Sequence, residues 1–138
     1  MEELLTRIAA AFTAAGFTVT DQEHATVPAK EPEVRYAVPK LKKHETSKRV
    51  RADGDEYAVC HTFTCAVRCF GKRCGFSDSE GLPAAVSLAA NELRGEDGLS
   101  LLSLETGELV RDAATDRLTC DLILRAAGYE VYDGWWGE

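Results

Sequence analysis

The chain has 138 residues, 45% of them hydrophobic and 28% charged, which is the balance of an ordinary globular protein with one core. No apolar run approaches the ~20 residues needed to span a bilayer as a helix. A formal net charge of −7 opposes generic nucleic-acid binding, which requires an excess of Lys and Arg.

The opening MEELLTRIAAAF starts with two acids and has no basic leader, so synthesis and folding in a reducing cytoplasm are expected. Residues 2–15 predict an amphipathic helix. Leu4, Leu5, Ile8 and Phe12 recur on one stripe, the intervening alanines favour helix, and Gly16 stands where a left-handed residue would end it. Phe17 to Thr20 predicts a short strand. Asp21 to Pro39 is loop-rich, punctuated by Pro28, Pro32 and Pro39, with a short strand over Val34–Val38; its flanking prolines suit a sheet edge. Leu41 to Val50 is polar and basic, either a second strand or an exposed arm. Asp53-Gly54-Asp55 is a turn signal, and a hairpin is expected in which Leu41–Arg51 pairs with Tyr57–Phe70.

The longest clean alternation runs from Glu56 to Gly71, EYAVCHTFTCAVRCFG. Val59, His61, Phe63, Cys65, Val67 and Cys69 share one face; Cys60, Thr62, Thr64, Ala66, Arg68 and Phe70 share the other. Period-two alternation of β-branched and aromatic residues predicts a long central strand with one buried face. Ser77 to Glu80 supplies helix caps, with Ser77 and Glu80 at capping-box spacing. A second helix then starts near Gly81 or Leu82, with Pro83 in its first turn, and buries Leu82, Val86, Ala89, Ala90 and Leu93. Leu99–Val110 predicts a strand, interrupted near Thr106-Gly107 by a bulge or small hairpin. Arg117–Tyr132 predicts a last long strand. The expected fold is a single α+β domain over residues 1–138, with two helices on a mostly antiparallel sheet in the order α-β-β-β-α-β-β.

Five cysteines invite a metal reading. Cys60, Cys65, Cys69 and Cys74 have spacings compatible with zinc knuckles, but Cys65 and Cys69 lie about 13 Å apart along a strand, too far for two ligands at ~2.3 Å from one ion. Packing is the expected role of these cysteines, with no metal. Cys60 and His61 are neighbours on opposite faces, and His24 and His44 fall in predicted loops, so no nucleophile–base pair is expected. No Gly-rich phosphate loop is present. The chain is therefore expected to have no cofactor and not to be an enzyme.

Two features point to partners instead. Between Lys40 and Arg51 there are six basic residues, Lys40, Lys42, Lys43, Lys48, Arg49 and Arg51, against Glu45 alone. That stretch carries net +5, which leaves −12 on the rest and predicts charge-complementary contacts, although a solvated hairpin fits equally well. The tail Asp133–Glu138 carries Trp135 and Trp136, which dock either on the chain's own sheet or on a partner.

Taken together, the N-terminal helix, the Pro-rich PAKEPEVRYAVP, the strand-helix unit EYAVCHTFTCAVRCFG with SEGLPAAVSLAANELRG, and the closing pair GELVRDAATDRLTCDLILRAAGYEV resemble the tail terminator (tail completion) proteins of long-tailed phages and their prophage relatives. The resemblance lies in organisation and covers nearly the whole chain. It implies a non-enzymatic homo-oligomeric ring, hexameric in the family, that caps the tail tube at the head–tail junction of the virion. The implied partners are further copies of the chain, the tail tube and the head–tail connector proteins, with no specific nucleic-acid binding and no membrane. A standalone adaptor or chaperone-like module, using the basic 40–51 segment and the Trp pair to hold a protein, is the alternative.

Overall fold

In the computed structural model the described residues are 2–20, 33–46, 50–51, 56–73, 78–95, 100–113 and 116–132. Two helices, α1 (Glu2–Ala14) and α2 (Gly81–Arg94), lie with seven strands: β1 (Phe17–Val19), β2 (Arg35–Thr46), β3 (Val50–Arg51), β4 (Tyr57–Phe70), β5 (Ser100–Thr106), β6 (Val110–Asp112) and β7 (Arg117–Tyr132). The sheet runs β1-β2-β4-β7-β5, with β3 alongside β4 and β6 alongside β7. Among the described residues only the β1–β2 pair is parallel. This is the expected α+β architecture.

The organising unit is the β4–β7 ribbon. Every residue of β4 pairs with β7, from Tyr57 opposite Tyr132 to Phe70 opposite Thr119. The parity read from sequence holds: Cys65, Val67 and Cys69 from β4 meet Leu118, Cys120, Leu122, Leu124 and Ala126 from β7 in the core. Over that floor lie Leu4, Ile8, Ala11 and Phe12 of α1, and Leu82, Ala85, Val86, Ala89 and Leu93 of α2. Fully burying a side chain such as Phe12 or Leu82 stabilises by roughly 1.5–3 kcal/mol. The alanines let α2 lie close to the sheet. Gly16, at φ +95, ends α1 in the left-handed region where a Cβ is disfavoured.

Three expectations need correction. Pro39 does not end a strand, because β2 continues through it to Thr46 as one element. Thr20 N–H donates to the Ala37 carbonyl, so the amide groups of Ala37 point toward β1. Two residues on, the Pro39 nitrogen points the same way, past the end of β1, and no ladder bond is lost. His44 accordingly sits in a strand, not a loop. The interruption expected near Thr106-Gly107 is present, where Gly107 N–H, bonded to the Asp121 carbonyl, separates β5 from β6, and a further bulge falls between Leu101 and Ser103. Finally, α2 begins after Glu80, which occupies the N-cap without a side-chain bond, so Glu80 is not the third residue of a capping box; Ser77 lies outside the described residues.

The start of α2 is held another way. The Asp78 carboxylate accepts hydrogen bonds from Arg35 Nε (2.8 Å) and NH2 (2.7 Å), and from the Lys72 backbone N–H (2.9 Å). Burial pushes the Asp78 carboxyl up, but the bonds from Arg35 and Lys72 and their positive charges outweigh it, and the net shift is downward. The Arg35 guanidinium is raised by the same pairing. A Cβ on Gly71 or Gly81 would run into the Asp78 carboxylate, and one on Gly81 also into Arg35. On the opposite side of the sheet, Tyr36, Val38 and Phe70 form a second, small cluster. There the buried Arg117 guanidinium donates to the Val34 and Gly71 carbonyls beside the Tyr36 ring.

Candidate functional site

Among the described residues both helices pack on one face of the sheet, and the other face carries an exposed ion pair and two hollows. Register aligns Lys40 with Ala66 and Ala66 with Ile123, and places Arg68 opposite Asp121. Arg68 Nε donates to Asp121 Oδ1 at 3.0 Å and its NH2 to Oδ2 at 3.2 Å. This forked, exposed pair is a ridge between two hollows. On the β2 side a cavity of ≈ 290 Å³ is lined by Lys40, Lys42 and Arg68 around an apolar floor that includes Val38 and Phe70. On the β6 side a second hollow, ≈ 450 Å³, is polar and lined by Glu108, Arg111, Asp112 and Thr119 among others. Ile123 and Val110 are large apolar side chains left exposed on this face, 42% and 58% accessible.

The bulge between Leu41 and Lys43 explains why three lysines so close in sequence do not alternate simply. Period two alone brings Lys40 and Lys42 together at the first hollow, and the bulge, by making Lys42 an extra residue, turns Lys43 to that same face. Lys43, opposite Thr64, pairs with Glu45 at 3.6 Å in a fully solvated setting. Of the other predicted contact residues, Arg51 belongs to β3 through its backbone pairing with Tyr57, and its side chain lies outside the described part. Lys48, Arg49, Trp135 and Trp136 lie outside the described residues, as do His24 and Cys74. The basic stretch thus divides, and only Lys40 and Lys42 are seen to converge. Sequence reading missed Arg68 and Asp121, which are 53 positions apart. Only the β4–β7 register brings them together.

The residues weighed for chemistry are placed differently from their spacing. Cys65, Cys69 and Cys120 are buried free thiols. Burial pushes all three thiols up, Cys69 farthest, where the neighbouring Cys120 and Asp121 add to it. A raised thiol holds little thiolate, and the thiolate is the nucleophile and metal ligand. Among the described residues no group of three or more His, Cys, Asp or Glu is arranged to hold a metal ion. His44 and His61 do meet: His44 Nε2 and His61 Nδ1 are 2.9 Å apart, a hydrogen bond in which one ring donates to the other. His44 also stacks on Phe63 with ring centres 4.4 Å apart. This aromatic triplet lies on the helix-side face, at the end of the ribbon where the core gives out. Among the described residues no helix is long and apolar enough to cross a membrane.

The sequence matches no protein-family model and no curated protein.

Proposed function

We propose that this chain is a structural, non-catalytic protein that assembles head-to-tail with copies of itself into a closed ring, in the manner of the phage tail terminators it resembles, capping a tail tube at the head–tail junction. The observation that carries the self-assembly is the charge on the two outer strands of the sheet. Beyond β1, the outer side of β2 from Val38 to Thr46, which has no strand partner among the described residues, carries Lys40, Lys42 and Lys43 against Glu45. The opposite edge, β5 and the turn after it, carries Glu105 and Glu108 with no basic residue from Ser100 to Val110. Unlike surfaces at opposite sides of one subunit favour a heterologous contact, which gives a ring when the rotation closes.

Contact through side chains fits these edges better than continued strand pairing. Pro39, the bulge at Leu41/Lys43 and the lysines are devices that blunt a sheet edge against open-ended pairing. The raised, buried thiols favour a packing role for Cys65, Cys69 and Cys120 over a catalytic one.

Size-exclusion chromatography with light scattering tests the proposal. A discrete multimer at low salt is expected, weakened by added salt and by Glu105→Lys with Glu108→Lys. A monomer at every concentration and ionic strength would overturn self-assembly and favour a standalone adaptor. Genomic neighbours encoding capsid, portal and tail-tube proteins are the corresponding expectation for the virion role.

A further inference from the structure

We infer that the ≈ 290 Å³ hollow on the open face receives the acidic tryptophan tail, Asp133 to Glu138, of a second copy of this chain. The proposal names one contact within the self-assembly above and rests on that reading. Three observations lead to it. The hollow pairs cations with an apolar floor: Lys40, Lys42 and Arg68 surround Val38 and Phe70. Among its described lining residues the one acid is Asp121, which Arg68 engages. A ligand suited to it presents a flat apolar group flanked by negative charge.

The chain holds one segment of that chemistry. Asp133-Gly134-Trp135-Trp136-Gly137-Glu138 has two acids, no base and both of the tryptophans in the protein. Aromatic rings against an apolar floor supply contact area, and the flanking acids meet the lysines at the rim.

Covalent geometry decides between the chain's own tail and a neighbour's. β7 ends at Tyr132, opposite Tyr57, whereas the hollow lies near Ile123 and Asp121, the partners of Ala66 and Arg68. From Tyr132 back to Ile123 is nine residues, about 30 Å along the strand. Trp136 stands four residues beyond Tyr132, a backbone reach of at most ~14 Å. Even with the length of an indole added, the tail falls short of its own hollow. The contact is therefore made in trans. A neighbour that brings its β5 edge against β2 places its β7, which pairs with β5, one strand farther out, with its tail emerging from that same side.

Because Trp135 and Trp136 are the only tryptophans, emission excited beyond the tyrosine absorption band reports on the tail alone. The test records emission and light-scattering mass together over a wide range of protein concentration, at low and high salt, on the full chain. Emission should move to shorter wavelength as concentration and mass rise, and return with salt. Lys40→Glu with Lys42→Glu, both at exposed positions, should shift the midpoint to concentrations about tenfold higher or more. Adding Asp133→Lys and Glu138→Lys to that variant should restore the midpoint. Emission that is independent of concentration, or a shift untouched by the lysine reversals, overturns the inference. Assembly by mass with unchanged emission removes the tail contact and leaves self-assembly standing; a strict monomer removes both.

Discussion

From Cys65 to Cys69, β4 lies beneath two helices, and its inward side chains are wholly excluded from water. From Ala58 to Phe63 the same strand keeps the same alternation, yet His61 and Phe63 on the inward side are only partly buried. The inward cysteine and valine of the first half are inert filler. The inward histidine and phenylalanine of the second half form a ring stack with His44 at the margin of the core, against which Phe63 packs partly buried. Alternation along a strand therefore specifies two faces without specifying what covers either. The cover is supplied by α1 and α2, whose apolar stripes extend over only part of the ribbon.

Stripping the cover is the harshest way to break this contrast. Phe12→Ala removes a fully buried ring from α1 and should cost about 3–5 kcal/mol in urea denaturation. Adjacent residues on β7 then separate the faces. Leu124→Ala, inward and inaccessible, should cost about 2–5 kcal/mol, while Ile123→Ala, outward and exposed, should cost under about 1 kcal/mol. Equal losses would mean that the two faces are covered alike.

Asp78→Asn unfastens the latch at the start of α2 and should cost about 1–3 kcal/mol at neutral pH. The Asp78 carboxyl is held below its unfolded value, near 3.9. Its stabilising contribution is therefore in force above that value and is lost as pH falls through the lowered folded value. Wild-type stability should drop below about pH 4 more steeply than that of Asp78→Asn, as read from denaturation midpoints across the acid range. The smallest effect is expected at Arg68→Ala or Asp121→Ala, an exposed pair, at roughly 0–1 kcal/mol. A larger loss would show that this ridge supports the fold as well as dividing the two hollows.

Much of the fold was legible because its determinants are local. The α2 stripe of Leu82, Val86, Ala89, Ala90 and Leu93 follows from helical period alone, and all five are buried. The two faces of β4 follow from period two. Pro39 was misread because its effect depends on which way its nitrogen faces, and that is set by the extent of β1, a different segment. His44 was misread as a loop residue because a bulge beside it hides the alternation of β2. The candidate site was less legible than the fold. Lys40 and Lys42 stood out as charge, but the Arg68–Asp121 ridge and the floor beneath them are products of register between distant strands, which no short window of sequence contains.

The latch at Asp78 has a further consequence, for the way this sequence can drift. Gly71 and Gly81 are held to hydrogen because the carboxylate of Asp78 fills the space beside both, and that carboxylate is there because Arg35 draws it in. These four positions form one packing unit. In any relative that has replaced the acid at 78, the arginine at 35 loses its purpose and both glycines become free to vary, so an alignment should show the four changing in concert.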